Sequence, residues 1–229
     1  MQDRIRVVVT GMGVVAPNGR NIATFRDALY HGISGITFIP ELERLNFGCQ
    51  VGGIPNLSES DIDAYFTKDE RMGVNEVVAY GCIAAVDAYR DAGLQIPDRK
   101  TGEPCWETGA IIGTGIGGMD TISDTLYPAV TAGKVKRMGS AIVEQTMASA
   151  VSARLGGMLG LGNQVTTNSS ACSTGTEAIV MAADRIRAGL ARRMVAGGAE
   201  GTSPYSWAGF ESMRVLCRGF NETPRQASR

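Results

Sequence analysis

The sequence predicts an α/β fold, a mostly parallel sheet with helices on both faces. Three observations carry that expectation. Short β-branched or apolar runs alternate with helical patterns along the chain. The 30 glycines fall at the ends of those runs, as tight turns and close backbone approaches, not in low-complexity tracts. Apolar residues at 44% and charged residues at 20% of 229 positions are the balance of a globular chain, long enough for one large domain or two small ones.

Taken in order, residues 4–10 (RIRVVVT) read as a buried strand ended by Gly11. Residues 21–31 place Phe25 and Leu29 four apart and stop at Gly32, a short helix. Residues 47–52 suit a small edge strand. Residues 75–92 form a helix rich in small residues, including Ala79, Gly81, Ala84, Ala85 and Ala88, that packs closely on other backbone. Residues 108–113 (TGAIIG) are a short apolar strand opening into a glycine loop. Residues 140–155 set Val143, Met147, Val151 and Leu155 on one helical stripe, ended by Gly156-Gly157. A strand over 163–168, a helix over 175–188 and a strand over 193–196 ending in Gly197-Gly198 complete the pattern. The tail from Asn221 is polar, carries no element and stops as if cut in a loop.

Charge and composition exclude several functions. A formal charge of −1 leaves no basic surplus for a phosphate backbone, and no polybasic segment suits an anionic membrane surface. No apolar run approaches the ~20 residues that span a bilayer, and the start has no signal-peptide core, so the expectation is a cytoplasmic protein. Cys49, Cys82, Cys105, Cys172 and Cys217 form no C-x-x-C pair, which argues against a zinc site or disulfide framework; no metal or organic cofactor site is found. Most free cysteines are small buried hydrophobes, and four of these five are read so.

Cys172 stands apart. In Thr167-Asn-Ser-Ser-Ala-Cys172-Ser-Thr-Gly-Thr-Glu177 a strand runs into small residues and a helix begins. Thr174 and Glu177 fit a capping box that places the first turn near Gly175. Ile179, Ala182, Ile186 and Leu190 then give an apolar face, with Asp184, Arg185 and Arg187 toward solvent. A thiol just ahead of a helix amino terminus meets unpaired N–H groups and the positive dipole end, which favour a thiolate and can hold an oxyanion. Its small neighbours leave room for a bulky group on sulfur.

Ser170-Ala-Cys-Ser-Thr-Gly175 resembles the nucleophile motif of the β-ketoacyl synthases. Val8-Val-Thr-Gly-Met-Gly13 is similar to that family's opening strand, and Gly113-Thr-Gly-Ile-Gly-Gly118 to its pocket loop. Val195-Ala-Gly-Gly-Ala-Glu200 resembles the strand after the nucleophile helix, and Ala208-Gly-Phe-Glu-Ser-Met-Arg214 the segment beyond it. The motifs run in family order along essentially the whole chain. The resemblance implies the amino-terminal half, residues 1–229, of a thiolase-like fold: two pseudo-symmetric βα halves forming a layered βαβαβ sandwich. It implies a ping-pong reaction with acyl and malonyl acyl carrier proteins, in fatty acid or related polyketide or polyene synthesis. Cys172 would be the acylated nucleophile and an oxyanion donor, Ile116 would lie along the acyl tunnel, and Phe210 would be a wall near the thiol. Residues 141–145 and 165–168 would lie at a homodimer interface.

Two departures qualify the resemblance. The family's two histidines belong to its carboxyl-terminal half; His31, the one histidine here, ends the first helix and is a poor substitute. The half alone is therefore expected to be inactive and to expose the face that packs on its partner. Pocket motifs are mixed, since 147–153 resembles the type I interface helix and 115–118 the type II loop. Three rivals remain weaker. A dinucleotide module matches Gly113-x-Gly115-x-x-Gly118 and Gly11-x-Gly13-x-x-Ala16, but Pro17-Asn18-Gly19 breaks the helix required after the second, and no strand-ending acid follows either. A cysteine hydrolase needs a histidine partner. A non-catalytic partner subunit of a condensing heterodimer would have no use for a retained nucleophile. Trp106 and Trp207 read as packing residues, methionines 147, 158 and 181 as filler, and Arg185, Arg187, Arg192 and Arg193 as solvated more readily than as a carrier-protein dock.

Overall fold

The computed structural model describes residues 5–99 and 101–228; Arg4 of the first expected strand lies outside the described residues. Residues 5–10 pair with no described strand, and Val8 and Val9 are 64% and 76% exposed. The expectation of a buried strand is corrected here. The run has β-branched side chains, but strand formation needs a neighbouring ladder, and none reaches it. The glycines after it lie against a helix instead: a Cβ on Gly13 would stand 1.8 Å from the Ala84 carbonyl oxygen.

Helix α1 (Ile22–Tyr30) starts at Asn21, whose side chain accepts the Thr24 amide, and Gly32 at φ +64° turns the chain away. Strands β1 (Thr37–Phe38) and β2 (Val51–Gly52) pair antiparallel around α2 (Pro40–Arg44), so only the end of the expected 47–52 strand is strand. Helix α3 (Glu59–Asp63) is a single capped turn. Helix α4 (Glu76–Asp91), capped by Asn75, matches the sequence expectation. Its Gly81 abuts Val151, the close approach its small residues promised.

Strand β3 (Thr108–Gly113) is buried along its full length. Helix α5 (Met119–Thr121), a π turn over Ile122–Leu126 and α6 (Tyr127–Thr131) run on from one another. The single helix expected over 140–155 is two: α7 (Ile142–Thr146) and α8 (Ala150–Leu159), broken at Met147, whose ψ of 139° is extended. Gly156-Gly157 does not end α8; Gly160, left-handed at φ +60°, does. Val143 and Met147 are accordingly exposed, whereas Val151 and Leu155 are core. Strand β4 (Val165–Thr166) is shorter than expected, while α9 (Thr174–Arg187) and β5 (Arg193–Gly198) fall within a residue or two of expectation. Helix α10 (Pro204–Ser212) follows, and the tail is not featureless: a 3-10 turn at Pro224–Gln226 leads to a buried Ala227.

The sheet order is β4-β3-β5, all parallel, with Ala110 opposite Val165 and Thr108–Gly113 opposite Arg193–Gly198. Alternation along β3 divides the layers. Ala110 and Ile112 join the main core with α4 and α8, including Val78, Cys82, Val151 and Leu155. Ile111 faces the other way onto Ala178 and Ala182 of α9. That leaves the opposite side of α9 uncovered, with Ile179 53% exposed and Val180 and Met181 also exposed. The expected apolar face of α9 is thus corrected to an alanine face; Leu190 is exposed.

Leu155 has 0% exposure at the centre of the α4–α8–β3 layer. Leu155→Ala is expected to lower unfolding free energy by about 3 kcal/mol, read by denaturant titration; a loss under about 1 kcal/mol would contradict this core assignment.

Candidate active site

Because β3, β4 and β5 are parallel, the loops after them gather at one edge of the sheet. The loop after β3 is held by Thr114, whose hydroxyl accepts the Gly117 amide at 3.1 Å. The Thr114 amide donates to the Asn168 carbonyl at 3.3 Å, and Ser169 Oγ donates to the Gly115 carbonyl at 3.3 Å. Glu200, at the end of β5, accepts the Gly115 amide. These bonds set Ile116, exposed, beside the loop that carries Cys172.

Cys172 itself is exposed and sits in a 3-10 turn, Ala171–Ser173, running straight into α9. Ala171 is left-handed at φ +50°, an uncommon conformation for a residue with a Cβ. The Thr174 hydroxyl stabilises it from both sides: it accepts the Ser170 amide at 2.7 Å and donates to the Ala171 carbonyl at 2.7 Å. The Asn168 amide group donates to the Thr174 carbonyl at 3.0 Å and to the Glu177 carboxylate at 3.3 Å, which also accepts the Ser170 hydroxyl. The capping box expected of Thr174 and Glu177 is therefore corrected. Ser173 is the N-cap and makes no side-chain cap bond; Thr174 and Glu177 reach back to tie the preceding turn instead. Gly113 makes this possible, because a Cβ there would meet the Thr174 methyl at 2.1 Å.

Phe210 is exposed on α10, whose Glu211 and Trp207 reach the β1–β2 region. His31 caps the end of α1, its Nδ1 3.0 Å from the Asp27 carbonyl oxygen, outside the loop cluster. Sequence reasoning missed Asn168, Ala171 and Glu200. All three stand inside the motifs named above, Glu200 two residues past the glycines that end β5, but spacing alone assigns none of them a role. A cleft of about 390 Å³ opens beside Glu200, between Gly13–Val15 and Gly198–Thr202, with Tyr80 and Trp207 in its wall. A second hollow of about 430 Å³ lies between Thr37 and the Pro224 turn, away from the sulfur.

The reading of the other cysteines as inert holds for Cys82 and is corrected for Cys105. Burial pushes the Cys82 thiol up to about 12. Cys105 sulfur lies 3.2 Å from Thr108 Oγ1 and accepts from Arg193 Nη2 at 3.2 Å. The Thr108 hydrogen bond, then the Glu107 amide and the Arg193 guanidinium, hold its thiol below the ordinary range. The four arginines all have partners: Arg185 on Asn163, Arg187 on Asp184, Arg192 and Arg193 on Glu107. Trp207 packs near Gly52, but Trp106 lies over Gly162 and is 71% exposed. Among the described residues no group of three or more His, Cys, Asp or Glu could hold a metal ion.

The family model for the beta-ketoacyl synthase N-terminal domain matches residues 4–229. A 3-oxoacyl-[acyl-carrier-protein] synthase 2 of Vibrio harveyi is 35% identical over 98% of this chain and 52% of its own length. A 3-oxoacyl-[acyl-carrier-protein] synthase 1 of Haemophilus influenzae is 31% identical over 98% of this chain and 53% of its own. A solved β-ketoacyl synthase from Burkholderia phymatum superposes with TM-score 0.85 at 23% identity, over 98% of this chain and 53% of that one, which speaks to the fold. A type II polyketide ketosynthase, solved in complex with its acyl carrier protein and bound to the hexaketide, gives TM-score 0.77 at 25% identity over 94% of this chain and 50% of that one. The chain spans about half the length of the relatives it matches.

Two outcomes follow from the turn and the thiols. Ala171→Gly is expected to be tolerated, whereas Ala171→Val, β-branched in a left-handed position, costs about 1–2 kcal/mol in a denaturant titration; equal stability of the two would refute the strained turn. Iodoacetamide labelling, mapped by peptide mass, should modify Cys172 and Cys105 well before Cys82, and Cys105 should keep reacting at pH values where an ordinary thiol has stopped. Cys82 labelled at the same rate as the other two would overturn the assignment.

Proposed function

Since the chain belongs to the β-ketoacyl synthase family, we propose that it forms the amino-terminal half of a 3-oxoacyl-[acyl-carrier-protein] synthase, an acyltransferase whose nucleophile is Cys172. The observation that carries the reading is the exposed sulfur held between a left-handed Ala171 and the first turn of α9, at the carboxyl edge of a parallel sheet.

In this reading the Cys172 thiolate attacks the thioester carbonyl of an acyl carrier protein. The tetrahedral oxyanion collapses, the C–S bond to the carrier breaks, and the carrier sulfur leaves as a thiolate that takes up the proton Cys172 lost, while the acyl group stays on Cys172. In this reading the Cys172 amide, just ahead of α9, is a donor to the oxyanion. Malonyl carrier protein then loses carbon dioxide, and its α-carbon attacks the Cys172 thioester, forming the carbon–carbon bond and freeing the sulfur. On the same reading Ile116, on the loop tied to Ser169, lies along the acyl chain, and Phe210 is a wall near the thiol. The proposed chemistry uses no cofactor.

A carboxyl-terminal half completes the fold and supplies the two histidines of the family; the apolar outer side of α9 is the surface it covers. A second copy pairs through 141–145 and 165–168, where β4 is an edge strand of the sheet. The partners are acyl carrier proteins bearing acyl and malonyl groups. No helix among the described residues is long and apolar enough to cross a membrane.

The test uses the native protein with its second half present, given acyl carrier protein thioester and then malonyl carrier protein. The acyl mass is expected on the Cys172 peptide. Cys172→Ala should lower condensation by at least about a thousandfold, as loss of a covalent nucleophile does, while the melting curve stays in place. No acyl-enzyme at Cys172 in the unmodified protein would sink this reading and leave the non-catalytic partner subunit.

A further inference from the structure

A pair of thiols sits where the carboxyl-terminal segment grips the residues before β2. The Glu211 carboxylate accepts the Gly48 and Cys49 amides at 3.3 Å each. Asn221 accepts the Gln50 amide at 2.9 Å and donates to the Gly48 carbonyl at 3.3 Å. Inside this grip the Cys49 thiol donates to the Cys217 carbonyl oxygen at 3.3 Å and to the Val51 carbonyl at 3.5 Å. Both cysteines belong to one apolar cluster with Val51, Ala227, Leu216 and Phe220. The carbonyl oxygen lies about 2.4 Å from its own Cα, so a sulfur bonded to it is no more than about 6 Å from the Cys217 Cα, near enough for a bridge to be reached by side-chain rotation. Among the described hydrogen bonds no other two cysteines meet.

We propose that Cys49 and Cys217 are a redox-active pair that closes to an intrachain disulfide when a small disulfide of the glutathione class is present in its oxidised form. The two thiols differ in access. Cys49 is 3% exposed, and Cys217 only partly buried. Cys217, as thiolate, attacks one sulfur of the small disulfide; that S–S bond breaks, one small thiolate leaves, and a mixed disulfide remains on Cys217. Cys49 then gives up its proton, and its sulfur displaces the second small thiolate, forming the 49–217 bond. Two protein thiols lose two electrons in total, the small disulfide gains them, and the two protons pass to the two released thiols. The new bond joins residues 168 apart in sequence and fastens the end of α10 to the β1–β2 hairpin, against which Trp207 already rests at Gly52. It stands independently of the condensing reaction.

The native protein is incubated with oxidised glutathione, quenched with iodoacetamide and digested without reductant. The expected result is a peptide pair joining Cys49 to Cys217, two hydrogens lighter than its parts and released by dithiothreitol. Cys49→Ser should stop at glutathione on Cys217, and the oxidised protein should melt several degrees above the reduced one, since closing a long loop restricts the unfolded chain. Cys49 and Cys217 both still alkylated while glutathione sits on Cys105 or Cys172 would overturn the proposal. So would a cross-link that joins Cys49 to other cysteines in equal yield. The wild-type peptide map decides alone, so a serine variant that fails to fold does not blunt the test.

Discussion

Thr174 crosses over the last residue of β3, and the placement of the Cys172 sulfur depends on that crossing. Gly113 has no Cβ, so the Thr174 methyl occupies the space where one would be. With the threonine seated, its hydroxyl faces back along the chain and bonds both the Ser170 amide and the Ala171 carbonyl. Those two bonds offset the cost of a left-handed alanine, roughly 1–2 kcal/mol, with two hydrogen bonds worth about as much in sum. The outcome is a reversal of direction within three residues, which turns the sulfur outward just as the helix begins. A side chain with a methyl and a hydroxyl on one carbon is what the position requires: apolar against the glycine, polar toward the turn.

Much of this architecture was readable from periodicity. β3 and α4 pack against sheet and helix partners along their length, so their side-chain spacing and their burial agree, while α9 and β5 fall where the spacing puts them although α9 buries alanines and not its larger apolar residues. The failures share a cause: each depended on a pairing, a backbone angle or a hydrogen-bond partner that residue spacing does not encode. Residues 5–10 have strand composition, but a strand is a pairing, and the partner is not a property of the run itself. The four-residue stripe of 143–155 survives a break at Met147 because spacing ignores ψ. Thr174 and Glu177 have capping-box spacing, yet their groups are taken by Ser170 and Asn168, which no spacing rule weighs. Cys105 owes its environment to Arg193, 88 residues on, brought alongside only by the β3–β5 register.

The chain's exposed apolar side chains are unevenly placed. Ala178 and Ala182 face the sheet, where small residues let the helix sit close, and the larger Ile179, Val180 and Met181 face out. That is the reverse of a helix at a protein surface, whose bulky apolar residues turn inward. It is the pattern of a helix covered on both sides, the inner side by its own sheet and the outer by another layer. The relatives extend to about twice this length, which gives the outer layer a natural source in the proposed second half.

The same division separates the two steps of the proposed chemistry. Moving an acyl group between thiols exchanges one thioester for another: the bond made and the bond broken are alike, and the step needs a presented thiolate and donors for a transient oxyanion. The Cys172 turn presents an exposed sulfur directly ahead of the first turn of α9. Decarboxylation is different, because charge leaves a carboxylate and develops on an enolate oxygen, which calls for donors or cations aimed at a second site. The acidic groups nearest the turn, Glu177 and Glu200, are already committed to Ser170, Asn168 and Gly115 and carry the wrong sign for that task. The sole histidine is occupied at the end of α1. In the proposed reaction the Cys172 turn serves the acyl transfer, and the condensing step calls on the proposed second half. The helix that follows the sulfur is also the one whose outer side carries the exposed Ile179, Val180 and Met181.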